Sequence, residues 1–565
     1  LDDATKSKIL KMALQNALDH GRTQDKIVLS KILGQEPELR TRVKEIMPAI
    51  SEIVGSVNQM SQEQIRADIE KKFPEILEAK PQKQEEPQGL PPLEGAERGN
   101  VVTRFPPEPN GYPHIGHAKA AIIDEEYARM YDGKLILRFD DTNPEAERLE
   151  FYAAIKVGLD WLGVKYDSVK NTSDDIELLY KKGKELLDGN FAYVCTCKQE
   201  AISANRRQMK ACKCSLGDED QNQERWEKMF SKYKQGDAIV RFRGDMKSEN
   251  TVMRDPVLFR IIETKHPLLG DRYRVYPSYD LAVAIEDSVD GVTHAFRTKE
   301  YELRNELYYA ILDALKMRKP KVIEFSRLGF EGMPVSKRVL RPLIEECKVS
   351  GYDDPRLPTL EALKRRGIRP EAIRKFVLSL GFTKADTLAP FETLESFNRK
   401  IVDPESIRLH MVRNPMAITV RNLPGSITMQ NHPTKDIGAR TITLGGKILV
   451  EQEDFASVKP GGEVRFMGLG NIRMDGPSEG EYVNDELRQD IPRVHWVAED
   501  SAQRIKILIP SVLFHGEEFN EKSLEEINVF TEPHYNELRE GTEIQFVRFG
   551  YCRKDSQLQA IFTHK

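Results

Sequence analysis

The sequence predicts a multidomain α/β protein, and three observations carry that prediction. Between about residues 100 and 345, strand, loop and helix signals alternate, the order of a parallel sheet that takes ligands at the carboxyl ends of its strands. Residues 1 to 78 show helical periodicity without strand patterns. From about residue 411 short strands are broken by recurrent turn signals, the mark of an all-β unit, sandwich or barrel. The 565 residues leave room for about three to five domains. With 31% charged and 39% hydrophobic residues, and a mean hydropathy of -0.53, the composition is that of a soluble globular chain. No apolar run approaches the ~20 residues of a membrane span. The opening Leu1-Asp2-Asp3-Ala4-Thr5-Lys6 has no secretory character. A net charge of -5 argues neither for nor against a nucleic-acid partner, because basic residues can be concentrated locally. Six cysteines are too few for a disulfide scaffold and point to a reducing interior, so a cytoplasmic location is expected.

In chain order, Leu10, Met12, Leu14, Ala17 and Leu18 recur at helical spacing. Ile27, Leu29 and Ile32 do so again, followed by Val43, Ile46, Ile50, Ile53 and Val57, and Ser61 is placed to cap a further helix. This appended helical domain (1–78) is either a docking or nucleic-acid-contacting module, with a possible protein partner, or a plain stabilising domain. Residues 79–99 are polar and proline-rich and read as a linker.

The stretch Arg104-Phe-Pro-Pro-Glu108-Pro-Asn110-Gly111-Tyr-Pro-His114-Ile-Gly116-His117 organises the rest of the chain. Asn100 to Phe105 reads as a short β-rich run, the prolines as a loop, and Ile115 to about Tyr131 as a helix closed near Gly133. A helix N-terminus after a strand and loop can receive phosphate, because its unpaired N–H groups point outward. His114 and His117 stand where they could donate to phosphate oxygens, and Gly116 leaves room for a ligand. An ordinary strand-to-helix corner would show the same two histidines. Lys134 to Phe139 reads as a buried strand ending in Asp140-Asp141-Thr142-Asn143-Pro144, with a helix from about Glu147 to Leu162. Two acids there serve as loop caps or as ligand groups. From residue 193 the pattern changes, with strands at Ile239 to Phe242 and Val257 to Ile262, so 193–290 reads as an insertion. Residues 346–410 read as helical, with Gly367 at a helix end and Pro370 at a helix start. Lys364, Arg365, Arg366, Arg369, Arg374 and Lys375 cluster there as a solvated face, or as a phosphate-facing one if a nucleic acid lies alongside. Cys195-Thr-Cys197 and Cys212-Lys-Cys214 could close a tetrahedral thiolate site for Zn²⁺, or be four incidental thiols. Cys347 and Cys552 are isolated.

The 104–117 wording resembles the first signature of class I aminoacyl-tRNA synthetases, in the glutamyl/glutaminyl branch. Pro334-Val335-Ser336-Lys337-Arg338 is similar to the second signature, with Pro-Val in place of the usual lead-in, and Phe139-Asp140-Asp141-Thr142-Asn143-Pro144 matches the branch as well. An all-β C-terminal region resembles the anticodon-binding barrels of glutaminyl enzymes and of the archaeal/eukaryotic glutamyl type. The resemblance implies a Rossmann-like catalytic domain over 100–345, whose insertion binds the acceptor stem. It further implies a helical stem-contact segment over 346–410 and an anticodon-binding β-barrel region over 411–565.

It implies a ligase of protein synthesis that activates an amino acid with ATP and Mg²⁺ and transfers it to the 3′-terminal adenosine of tRNA. His114, His117 and Lys337 are then catalytic, and Glu108, Asn110, Gly116, Arg327, Ser336 and Arg338 bind ATP. Arg104, Asp140 or Asp141, and Tyr279 hold the amino acid. Glutaminyl enzymes resemble one another in a cysteine where this chain has Arg297. An arginine there could pair bidentately with a side-chain carboxylate, so L-glutamate and tRNA(Glu) are the expected substrates. Many glutamyl enzymes carry a related structural zinc site at the insertion. A glutaminyl enzyme and a non-catalytic tRNA-binding paralogue are the alternatives.

Overall fold

The computed structural model describes residues 3–20, 23–35, 43–73, 90–455 and 458–565. The chain divides into two compact units, Leu1–Gln88 and Gly89–Lys565.

The first unit contains α1 (Asp3–His20), α2 (Asp25–Gln35), α3 (Val43–Asn58) and α4 (Gln62–Lys72). One face of each is buried, though not through every residue the periodicity named: Ile9, Ala13 and Ala17, Val28 and Ile32, Ile46, Ile50 and Val57, and Ile65 and Ile69 form a shared core, whereas Leu10, Leu18, Leu29 and Ile53 are half-buried and Ile27 is exposed. Ser61 caps α4 reciprocally. Its Oγ accepts from the Gln64 N–H (3.3 Å) and its own N–H donates to Gln64 Oε1 (2.9 Å).

The expected linker, 79–99, needs correction at its end. Residues 79–89 lie outside the described residues, but 90–99 form a strap on the second unit. Leu90 and Leu93 are buried beside Val101, Tyr127, Phe296 and Phe325. The Leu93 N–H donates to the Tyr131 hydroxyl (2.8 Å) and Lys321 Nζ to the Glu94 carbonyl (2.8 Å). Two leucines among prolines supply enough apolar surface to order a short segment against a preformed core.

Three parallel strands open the second unit: β1 (Val102–Phe105), β2 (Lys134–Phe139) and β3 (Ser168–Asn171), with β2 central. Between them run α5 (Ile115–Met130) and α6 (Leu149–Leu162), the latter closed by Gly163 in the left-handed conformation (φ 70°). After α7 (Ile176–Asp188) the chain builds an antiparallel sheet from β4 (Ala192–Cys195), β5 (Ile239–Phe242), β6 (Val257–Ile261) and β7 (Val275–Pro277), with α8 (Gln199–Arg207) and α9 (Glu219–Ser231) in the first crossover. Then come α10 (Tyr279–Val289), β8 (His294–Thr298), α11 (Asn305–Ala314) and β9 (Lys321–Phe325), with β8 and β9 parallel. The chain returns beside its first strand here. The Thr293 N–H donates to the Val102 carbonyl and the Val102 N–H to Thr293 Oγ1, both at 2.9 Å. The β8–β9 pair thus comes back alongside β1 after the insertion.

β10 (Leu328–Phe330) pairs in parallel with β11 (Thr387–Ala389), and α12 (Lys337–Glu345), α13 (Leu360–Arg366), α14 (Pro370–Ser379) and α15 (Phe391–Val402) make the helical segment. Its basic cluster is neither a solvated nor a phosphate-facing stripe as a whole, because four of its members hold elements together. Arg365 pairs with Asp555 (2.8 Å), Arg366 with Glu395 (2.9 Å), Arg369 with Glu543 (2.7 Å) and Arg374 with Glu125. Lys364 and Lys375 are exposed.

Beyond residue 406 two seven-stranded sheets follow, each with its own core. Ile418, Ile448, Phe466 and Trp496 centre the first, and Ile505, Ile507, Ile544 and Phe546 the second. The two share a local motif that turn signals alone do not reveal. Glu463-Val-Arg-Phe-Met-Gly-Leu-Gly470 and Glu543-Ile-Gln-Phe-Val-Arg-Phe-Gly550 form equivalent hairpins, pairing Phe466 with Gly470 and Phe546 with Gly550. Both closing glycines sit at φ values other residues avoid (146° and 152°).

Gly133 ends the α5–β2 corner, and a Cβ there would stand 2.1 Å from the Val101 carbonyl oxygen. Gly133→Ala should therefore destabilise the second unit by about 1–3 kcal/mol, read as a lower thermal unfolding midpoint.

Candidate active site

The carboxyl ends of β1, β2 and β8 and the N-terminus of α5 surround a cavity of about 740 Å³. One end of it is built by α5. His114 is the N-cap, and its Nδ1 accepts from the Gly116 N–H (3.1 Å), while His117 Nδ1 accepts from the His114 N–H (3.2 Å). With Nδ1 accepting, a neutral ring carries its proton on Nε2, so each histidine presents an N–H donor. The two rings lie 4.1 Å apart. The loop is braced from the helical segment, where the Ile115 N–H donates to the Pro358 carbonyl (3.0 Å) and the Leu360 N–H to that of Pro113 (2.9 Å). Gly116 lines the cavity, as a glycine that leaves room for a ligand would. A Cβ there would also meet the His114 ring at 2.9 Å, so the same glycine makes room for the histidine cap.

The opposite end is a buried charge network. Arg104, on β1 and fully buried, meets Asp287 of α10 through Nε (2.9 Å) and Nη2 (3.3 Å), and its Nη1 donates to the Phe296 carbonyl (2.8 Å). Asp287 also faces Arg138 (2.9 Å), the Tyr308 hydroxyl (3.2 Å) and Arg297 (3.9 Å). Burial pushes its carboxyl up, but Arg104, Arg138 and Arg297 together outweigh that and hold it at about 2. Arg297 is 4% exposed, its guanidinium lies over the Tyr308 ring (4.2 Å), and its Nε and Nη2 have no hydrogen-bond partner among the described residues. Tyr279, first residue of α10, also lines this end and packs against Tyr301 (5.2 Å).

The two acids after β2 separate. Asp140 lines the cavity, accepting from Arg138 Nε (3.1 Å) and Thr172 Oγ1 (3.0 Å), with Oδ2 unpaired. Asp141 lies behind it and is absent from the lining. It accepts from the Tyr152 hydroxyl (2.8 Å), the Ser173 N–H (2.8 Å) and the Ser173 hydroxyl (2.7 Å). Of the pair, geometry leaves Asp140 alone within reach of a ligand.

Glu108, Asn110 and Arg327 line the cavity too. Arg327 is held by Glu300 (3.2 Å) and Asp386 (3.0 Å). The second signature sits at the rim. Val335 lines the cavity, whereas Ser336, the N-cap of α12, and Arg338 are outside the lining. Lys337 opens α12, and its side chain lies outside the described ones. Sequence reasoning missed Lys119, Asp124, Asp287 and Tyr308. The available signals were a lysine and an aspartate within the small and apolar residues of α5, and an aspartate closing the apolar run Leu281 to Ile285.

In the insertion, Cys195 and Cys212 Sγ lie 3.8 Å apart and Cys197 and Cys214 Sγ 3.7 Å apart, and all four sulfurs fall within 4.8 Å of one another. Tetrahedral Zn–S bonds of about 2.3 Å require S···S edges of about 3.8 Å, so these thiols fit such an ion. Arg241 Nη1 approaches Cys212 Sγ (3.8 Å), offsetting thiolate charge. A second cluster, Glu451, Asp454 and His495, is already neutralised by Arg413 (2.9 Å) and Arg548 (2.6 Å).

Fold and site together define a class I tRNA synthetase. The family model "tRNA synthetases class I (E and Q), catalytic domain" matches residues 100–404, and two models for the anti-codon binding domain of the same family match 406–489 and 493–555. A glutamate–tRNA ligase of Nitrosopumilus maritimus is 62% identical over 570 residues, covering 100% of both chains. One of Cenarchaeum symbiosum is 58% identical over 558 residues, covering 98% of each, and one of Korarchaeum cryptofilum 38% identical over 582, covering 99% of each. The chain belongs to the E and Q family of class I tRNA synthetases.

Burial raises the Asp141 carboxyl to about 7 despite its three donors. A raised carboxyl makes the folded state bind more protons than the unfolded one between about pH 4 and 7, so this group's contribution favours folding as pH falls through that window. Asp141→Asn should flatten that part of the stability–pH profile, measured by thermal unfolding.

Proposed function

We propose that this protein is a glutamate–tRNA ligase that activates L-glutamate with ATP and transfers it to tRNA(Glu). The α-carboxylate of glutamate attacks the α-phosphorus of ATP and displaces pyrophosphate. A ribose hydroxyl of the 3′-terminal adenosine then attacks the acyl carbon and displaces AMP. Mg²⁺ enters with ATP and offsets phosphate charge. The Nε2–H groups of His114 and His117 and the N-terminus of α5 receive phosphate oxygens. Lys337, with Ser336 and Arg338, neutralises charge on the departing pyrophosphate, and Glu108, Asn110 and Arg327 surround the nucleotide. Arg104, Asp140 and Tyr279 hold the amino-acid end.

The observation that carries glutamate over glutamine is Arg297: a buried guanidinium facing the cavity whose Nε and Nη2 make no hydrogen bond among the described residues, Asp287 standing 3.9 Å from Nη2. A carboxylate can satisfy both donors at once, and an amide cannot neutralise the charge. In the same reading, the insertion takes the acceptor stem, residues 346–410 approach the stem, and the two C-terminal sheets take the anticodon. The four cysteines hold a structural Zn²⁺ that ties β4 to the 212–214 turn. The first unit offers a surface for a protein partner, and the enzyme works in the cytoplasm.

Charging of total tRNA with labelled glutamate or glutamine tests this. The parent should charge glutamate, and Arg297→Ala should lower kcat/KM for glutamate by about a hundredfold or more. Glutamine charging by the parent would make it a glutaminyl enzyme, and charging with neither amino acid would make it a tRNA-binding protein. Metal analysis should find one zinc per chain. Cys212→Ser should lower both zinc content and the unfolding midpoint, and a metal-free parent of equal stability would overturn the zinc assignment.

A further inference from the structure

Lys119 is a cation under this cavity that the proposed chemistry leaves without a task. It follows the second histidine of α5 by two residues, is 2% exposed, and lines the cavity. Its Nζ donates to the Ser326 carbonyl (2.6 Å) and to Ser326 Oγ (2.8 Å), and lies 5.6 Å from the centre of the Phe325 ring. Ser326 is itself a node. Its N–H donates to the Thr383 carbonyl (2.8 Å) and its Oγ lies 3.3 Å from Thr383 Oγ1. The next three residues, Arg327, Leu328 and Gly329, line the same cavity as His114 and His117. The Leu328 carbonyl closes down on α5, standing 3.5 Å from where a Gly116 Cβ would be. One amine therefore joins the helix that carries the histidines to the bend that forms the facing wall.

Its charge is unmatched. No carboxylate among the described residues lies within 4.0 Å of Nζ. Asp386, the acid that acts on it from the 383–389 segment, is already paired with Arg327 (3.0 Å). Burial pulls the amine down to about 8, so it remains protonated at neutral pH. A buried cation held by two neutral oxygens costs stability unless an anion completes it. An ammonium needs three acceptors, and the protein supplies two.

We propose that Lys119 is a positioning residue for the nucleotide: it clamps the Ser326–Gly329 bend onto α5 and places an uncompensated positive charge beneath the anionic ligand. The inference rests on the proposed use of ATP, and saturation of the parent by ATP tests that use separately.

The test is tRNA charging with full-length Lys119→Met, Lys119→Gln and Lys119→Arg at varied ATP and at varied glutamate, with unfolding midpoints recorded for each. Lys119→Met fills the same volume but removes donors and charge. It should raise KM for ATP about tenfold or more while KM for glutamate stays within about twofold, since a hydrogen bond to a charged group is worth that factor. Lys119→Gln, which can still donate to the Ser326 carbonyl, should recover part of the loss, and Lys119→Arg, which keeps the charge, should recover more. Two results would overturn the proposal: a folded Met variant with parental KM for ATP, or equal rises in both KM values, which would mark a general collapse of the cavity. If the Met variant does not fold, the Gln and Arg variants decide, because parental ATP KM in Gln denies the charge a part.

Discussion

The bidentate pair between Arg104 and Asp287 is the contact on which the site depends. The two residues are 183 apart in sequence, on β1 and on α10, the helix at the end of the 193–290 insertion. Both side chains are fully buried. Removing one partner of such a pair leaves a charge stranded in the interior, a loss of about 3–5 kcal/mol. The pair therefore fixes where the second half of the fold returns, whatever the chain between them does. It also fixes the wall of the cavity, because Asp287 collects Arg138, Arg297 and Tyr308 as well.

The cavity that results is asymmetric. Its α5 end offers two imidazole rings, the buried Lys119 amine and a helix N-terminus, suited to a diffuse, multiply charged group such as a phosphate chain. Its α10 end offers fixed guanidinium groups whose orientation is set by one carboxylate and one ring, suited to a compact, planar anion. Two reactants, one bearing phosphates and the other a side-chain carboxylate, would be sorted to opposite ends by electrostatics. That division of labour places reacting groups without requiring a covalent intermediate on the protein.

Charge also sets the arrangement of the modules. Arginines of the helical segment reach the last sheet through Asp555 and Glu543, and the buried Arg440, on the strand Ala439–Thr443, pairs with Glu532 at the end of the strand Leu524–Thr531. Paired arginines at module boundaries impose direction as well as attraction, since a bidentate contact tolerates little rotation. The repeated hairpin motif of the two sheets places Gly468 and Arg548 at the same positive-φ corner (77° and 67°). In the second sheet that corner is the one that pairs with Asp454 of the first.

Much of this protein is legible in its sequence because local signals and tertiary outcome agree. The strand Lys134–Phe139 occupies its expected residues, and α5 begins at Ile115 with His114 as cap. Ser61 caps as expected, and the Cys-x-Cys pairs converge. Periodicity, capping chemistry and ligand spacing are short-range properties, so the chain alone determined them. Other features depend on which distant group arrives at a given place. Asp140 and Asp141 are indistinguishable in sequence, and only the approach of Tyr152 and Ser173 turns one of them away from the cavity. Gly116 reads as space for a ligand, and only the fold shows that the His114 ring leans on the same glycine. The arginines of 365–374 read as a surface stripe until acids from other modules meet them, and Leu90 and Leu93 read as linker until the sheet offers them a face. Burial and pairing across long sequence separation decided each of these, and neither quantity is written in a local stretch of chain.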